Sequence, residues 1–215
     1  MDIPWILKNR ILKPYNHERQ FELNIQQLLL QLQGDVFWDV GANVGLYSLL
    51  LRKNFRHVFA VEPNPVVRRR LKARLLWHFA RNVSVLPFAL SDQNGETWLS
   101  PGDDRFRAWS KLHESGINGK TATFDSIYQR SVDLMKIDVE GAEFLVLQGA
   151  RDALQEGRIM NLLIEVHSWD REKELEEILT KYGYRCEWMR TQELHVFAKR
   201  VDLPSRPPDS AATSS

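Results

Sequence analysis

From Val36 to His167 the chain keeps returning to one pattern: an apolar run of strand length, a polar turn, then apolar residues at helical spacing. The strands read as Val36 to Val40, "HVFAVE" (57–62), "VSVLPFAL" (83–90), "VDLMKID" (132–138) and "NLLIEVH" (161–167). Helical patterns cover Leu46 to about Lys53, "PVVRRRLKARLLWHFA" (65–80) and "AEFLVLQGARDAL" (142–154). Parallel strands need long crossovers, and helices supply them with right-handed connections. The sequence therefore predicts an α/β fold with a mainly parallel sheet.

The flanking segments complete it. "FELNIQQLLLQL" (21–32) has helical spacing and is ended by Gly34, so residues 1–34 read as a helical lead-in and 35–200 as the main domain. Helix "DREKELEEILTKYG" (170–183) precedes strands "YRCEWMR" and "ELHVFAKR", separated only by Thr191 and Gln192, which predicts an antiparallel hairpin. The tail 201–215 is rich in Pro and Ser and is expected to be disordered. "SDQNGETWL" reads as a turn and a short extra strand. Ser100 to Lys120 is polar, holds three glycines and lacks a period, and a loop of that length is expected to be functional or mobile rather than idle.

With 215 residues, 43% of them hydrophobic, the chain can bury one substantial core. A formal charge of +1 gives no whole-molecule reason to expect nucleic acid or membrane as a partner. The basic stretch "RRRLKAR" reads as a solvated helix face. A single cysteine, Cys186, excludes an intramolecular disulfide and reads as a packed strand residue. No Cys/His cluster has zinc spacing, so no metal is expected. Neither a secretion signal nor an uncharged run of roughly 20 residues is found, which predicts a soluble, cytoplasmic protein.

In an open parallel sheet, ligands bind beyond the carboxyl ends of the strands. Here those ends are acidic: Asp39, Glu62, Ser91 with Asp92, Asp138, and Glu165 close to His167. Glu62 stands 21 positions after Gly41, where an acid ending the second strand reaches the hydroxyls of a ribose bound over a glycine turn. The turn itself, Asp39-Val40-Gly41-Ala42-Asn43-Val44-Gly45, lacks the second glycine of a diphosphate cradle. Asp39 beside it suits an ammonium group better than a phosphate. A ribose, an ammonium and no phosphate together describe S-adenosylmethionine.

The stretches "DVGANVGLYSLLL", "AVEPNP", "ALSDQNG" and "LMKIDVEGAEFLVLQGA" resemble the FkbM-type methyltransferases, a branch of the class I S-adenosylmethionine-dependent enzymes. The resemblance implies a Rossmann-like, seven-stranded, mostly parallel sheet with an antiparallel last strand and helices on both faces. It implies that Asp39, Gly41, Asn43 and Gly45 cradle the methionine part of the cofactor, that Glu62 holds the ribose and that Asn64 borders it. By the same resemblance Ser91 and Asp92 would face the adenine, and Asp138 and Glu140 would flank the methyl group and substrate entrance.

The activity so implied is O-methylation of a hydroxyl on a small molecule, sugar or glycolipid. A protonated alcohol is a poor nucleophile, so a general base is expected, with His167 first and Glu140 and Glu165 next, while His113 could reach in from the long loop. Bland readings stand beside these: Asp92 in an Asx turn, Asp138 and Glu140 stabilising the following helix, His167 as a cap. A nicotinamide oxidoreductase and a non-catalytic cofactor-binding module are the alternatives. Phe106 and Trp109 in the long loop are candidates for stacking on an acceptor.

Overall fold

In a computed structural model of the chain, residues 23–99, 112–113, 117–167, 169–190 and 193–201 are described. The lead-in before residue 23, the tail from residue 202, and Phe106 and Trp109 of the long loop lie outside them. Seven strands form one sheet: β1 (Gly34–Val40), β2 (Phe55–Val61), β3 (Val83–Leu86), β8 (Leu134–Ile137), β9 (Asn161–Val166), β10 (Tyr184–Arg190) and β11 (Leu194–Arg200). Their order is β10-β11-β9-β8-β1-β2-β3. All neighbours pair parallel except β11, which runs antiparallel to both β9 and β10. The expected seven-stranded sheet with an antiparallel last strand is the sheet observed.

β1 is buried on both faces, as a central strand between crossover helices must be. Phe37 points to the side covered by α1 (Leu23–Leu30) and α2 (Leu46–Leu51), where it meets Ile25, Leu29, Tyr47 and Leu51. α3 (Pro65–Trp77) packs Leu71 and Leu75 against Ala60 on that side. Trp38 points the other way, stacks on Phe59 with centroids 4.8 Å apart and meets the edge of Phe124 at 5.0 Å. That side is covered by α4 (Phe124–Ile127), α5 (Glu143–Gly149), α6 (Arg151–Gln155) and α7 (Glu172–Lys181). Burying aromatic side chains of this size stabilises the fold by about 1.5–3 kcal/mol each.

Several boundaries differ from the sequence reading for local reasons. "VSVLPFAL" is two strands: Pro87 cannot donate to the ladder, and after it β4 (Ala89–Leu90) leaves the main sheet. β4 joins β5 (Gly95–Leu99), β6 (Leu112–His113) and β7 (Ile117–Ala122) in a second sheet, in the order β4-β7-β5-β6. The final part of the stretch expected as a loop, up to Lys120, is thus strand. The helix expected over 142–154 breaks at Ala150 into α5 and α6, and a 3-10 turn (Trp169–Arg171) precedes α7. The helices expected to Lys53 and Ala80 end at Leu51 and Trp77. In the terminal hairpin Arg190 pairs with Leu194, so Glu193 also lies outside the ladder. Cys186 is half-buried on β10 and packs against the core. Arg69, Arg70 and Lys72 on α3 are exposed, as a solvated face requires. Among the described residues no helix is long and apolar enough to cross a membrane.

Candidate functional site

Asp39 ends β1 with its carboxylate buried beneath the first turn of α2. Ser48 donates to Asp39 Oδ2 from its backbone N–H (2.9 Å) and from its hydroxyl (2.6 Å). The other oxygen, Oδ1, is buried with no hydrogen-bond partner among the described residues. Burial raises the Asp39 pKa, against the opposing pull of Lys136 and Ser48. A buried acceptor without a donor is costly, so this oxygen is suited to a cationic or N–H-bearing ligand.

The turn after Asp39 requires glycine at one position above all. Gly41 has φ +79°, and a Cβ there would lie 1.7 Å from the carbonyl oxygen of Asp138. That close approach draws the ends of β1 and β8 together. Asn43, also left-handed at φ 50°, donates its N–H to Glu62 Oε2 at 3.0 Å, and Asn64 donates its N–H to Glu62 Oε1 at 2.8 Å. Each Glu62 oxygen keeps acceptor capacity, since a carboxylate offers about four lone-pair sites. Burial pushes the Glu62 pKa up to about 7, with the two backbone N–H groups opposing. Asn64 caps α3: its Oδ1 accepts from Val66 N (2.9 Å) and Val67 N (3.3 Å).

Beyond β8 and β9 lies a charged cluster. Lys136, buried at 2% exposure, is the register neighbour of Asp39 and donates to Asp138 Oδ2 at 2.8 Å. Burial alone would lower its pKa, but Asp138, Asp39 and Glu165 reverse that and raise it. Its ammonium also lies 4.7 Å from the ring centroid of Tyr47. His167 sits among three carboxylates: Nδ1 is 2.8 Å from Glu143 Oε1, and Nε2 is 3.3 Å from Glu140 Oε2 and 3.4 Å from Glu165 Oε1. Burial pulls its pKa down, yet Glu143, Glu165 and Glu140 outweigh burial and lift it to about 10. Glu165 also faces the buried His195 at 3.4 Å. Burial would raise Glu165, but His167, His195 and Lys136 hold it below the ordinary carboxylate range.

The candidate residues thus fall into three groups. Gly41, Asn43, Gly45, Glu62 and Asn64 surround the turn after β1. Asp39, Asp138 and Glu165 gather around Lys136, and His167 links Glu165 to Glu140. Ser91 and Asp92 form the third group: Ser91 N donates to Ala122 O at 3.0 Å and its hydroxyl to Asp92 Oδ1 at 3.0 Å. Asp92 is exposed at a groove that Phe144, Leu147 and Tyr182 also line.

Lys136, Glu143, Ser48 and His195 carry the electrostatics and were assigned no role from sequence. The signal for Lys136 was a lone lysine inside an apolar strand; that for Glu143 was its place in the "DVEGAE" stretch.

The family model described as the methyltransferase FkbM domain matches residues 39–186, well over half of the chain. The hexuronic acid methyltransferase AglP of Haloferax volcanii is 29% identical over 167 residues, covering 74% of this chain and 68% of AglP. A crystal structure of an FkbM methyltransferase from Methylobacillus flagellatus superposes with a TM-score of 0.60 at 17% identity, over 89% of this chain and 56% of that one. A Streptococcus mutans protein solved in complex with SAH gives a TM-score of 0.55 at 12% identity, over 84% of this chain and 98% of that one. At those identities the two structures share the fold.

Proposed function

The chain belongs to the FkbM methyltransferase family, and from that membership we propose that it moves the methyl group of S-adenosylmethionine to a hydroxyl oxygen of a carbohydrate or similar small molecule. The observation that carries the cofactor assignment is the pair of buried acids at neighbouring strand ends. Asp39 offers an unpartnered oxygen to the α-ammonium, and Glu62 offers its spare lone pairs to the ribose hydroxyls. Ser91 and Asp92 border the adenine at the next strand end, and Asp138 stands between the cofactor's methionine part and the acceptor.

When bound, the cofactor supplies a methyl group on a sulfonium, already electrophilic. The chain's own task is alignment, exclusion of water and removal of one proton. Transfer to a hydroxyl would form the O–C bond as the S–C bond broke with its electron pair left on sulfur, so the residues here would have to take up the hydroxyl proton. The imidazole of His167 has a carboxylate oxygen beside each ring nitrogen, which makes it a donor on both sides. The proton therefore goes to a carboxylate of that cluster, and to Glu140 before Glu165, because His167, His195 and Lys136 hold Glu165 below the ordinary carboxylate range, while His167 holds the two in position. This moves the base role from the imidazole, the first expectation from sequence, to its neighbours.

A carbohydrate acceptor is supported by the similarity to a hexuronic acid methyltransferase. The test is incubation of the purified chain with S-adenosylmethionine and a panel of uronic acids, neutral sugars and amine-bearing controls, read by mass spectrometry. Gain of one methyl group on a hydroxylated acceptor supports the reading, and methylation confined to the amine controls refutes the oxygen assignment.

A further inference from the structure

We propose that Asp138, Glu140 and His167 form a binding site for a divalent cation of the magnesium or manganese class, at the mouth where the acceptor hydroxyl is placed. This rests on the methyltransferase reading above and adds an ion to it. One ligand atom from each of the three residues lies within 4.8 Å of the other two, and Glu140 Oε2 is 3.3 Å from His167 Nε2. Octahedral ligands about 2.1 Å from an ion stand about 3 Å apart, so small side-chain movements close the set.

The site is open on one side and built on the other. The side chains of Asp138, Glu140 and His167 are 26%, 16% and 16% exposed, while Glu140 Oε2 and His167 Nε2 themselves are buried, so an ion enters past Asp138 with a small side-chain movement. Behind them Glu143 is 1% exposed, with Oε1 against His167 Nδ1 and Oε2 buried with no hydrogen-bond partner among the described residues. A carboxylate on the far nitrogen of an imidazole is the regular way a ligating histidine is oriented. Glu143 thereby directs Nε2 toward Glu140, and an ion bound there takes the place of the proton that Nε2 otherwise carries between the carboxylates. Asp138 is anchored to Lys136 through Oδ2, which leaves its other oxygen for the ion.

The donor set narrows the ion. Two hard carboxylate oxygens and one imidazole, with no thiolate, suit magnesium or manganese better than copper or a structural zinc. Three protein ligands leave coordination positions for the acceptor. An acceptor that carries a carboxylate, as a hexuronic acid does, would otherwise approach a mouth lined by Asp138, Glu140 and Glu165, all of its own sign. A cation there offsets the repulsion and acidifies a hydroxyl bound to it, whose proton can then pass to water, with Glu140 serving as a ligand in place of a base.

Titrating the full chain with Mn2+ while following the paramagnetic resonance of the free ion, and titrating the same sample with SAH by calorimetry, separates ion from cofactor. Uptake of one Mn2+ per chain is expected, weakened about tenfold or more by Glu140→Gln, with SAH affinity unchanged. His167→Asn serves as a second variant, and thermal melting confirms that both are folded. No uptake by the wild-type chain, or equal uptake by the folded variants, overturns the ion site, and SAH binding in that sample leaves the methyltransferase reading standing. Mn2+ uptake without SAH binding leaves the ion site standing and removes the cofactor assignment.

Discussion

Lys136 places its ammonium 2.8 Å from Asp138 Oδ2 while lying beside Asp39 in the strand register, so one buried cation serves the carboxylates that end two adjacent strands. Removing one partner of a buried pair leaves charge without compensation. Lys136→Met is expected to lower stability by about 3–5 kcal/mol, measured by chemical denaturation, and to weaken SAH binding in whatever fraction stays folded.

The proposed hold of Glu62 on the ribose predicts that cofactor binding depends on pH. Its folded pKa, about 7, lies above the ordinary value of 4.5. The folded chain therefore holds this proton where the unfolded chain has lost it, and this group's contribution to stability falls as pH rises from about 4.5 to 7, then stays constant. Hydrogen bonds from ribose hydroxyls favour the ionised form. SAH affinity should accordingly rise between pH 6 and pH 8, and Glu62→Gln should flatten that rise and weaken binding at pH 8 by about 1.5–3 kcal/mol. A wild-type affinity that is flat over this range contradicts the assignment.

Two glycines with positive φ separate steric demand from conformational demand. At Gly41 a Cβ collides with the Asp138 carbonyl at 1.7 Å, whereas at Gly141, φ +100°, nothing lies within 4 Å. Gly141→Ala should cost about 1–2 kcal/mol, the penalty of the backbone region alone. Gly41→Ala should cost clearly more and abolish SAH binding, because the β1 and β8 ends must separate. Thermal melts of the two variants side by side check the ranking.

Asn64 has its side chain committed to the start of α3. Asn64→Ala should lower stability by about 1 kcal/mol, and Asn64→Ser or Asn64→Asp should restore most of it. Restoration of stability without restoration of SAH binding would indicate a direct contact with the ribose as well.

The sheet was legible because its strands are short apolar runs separated by helical periods, and the ends of β1, β2, β8 and β9 carry an acid. What stayed hidden depends on pairing between distant segments. Lys136 in "LMKID" looks like one polar residue of a strand until the register sets it beside Asp39. His195 gains meaning only through its pairing with Glu165 across β9 and β11. The second sheet pairs Ala89 with Thr121 and Gly95 with the same residue, contacts that no local period announces. The break at Ala150 has a similar origin: Gly149 packs so close that a Cβ would meet the Ser91 carbonyl at 1.9 Å, a tertiary constraint inside a helical pattern. The expectation of a base at His167 rested on an ordinary imidazole pKa, which carboxylates from β9, the turn after β8 and the start of α5 lift to about 10.

Calorimetric titration of the chain with SAH, with NAD as the competing ligand class, tests the central assignment most directly. The account predicts one SAH site per chain, weakened about tenfold or more by Asp39→Asn and by Glu62→Gln, and no heat from NAD. A wild-type chain that takes up NAD and ignores SAH, or variants that bind SAH as tightly as the wild type, would contradict it.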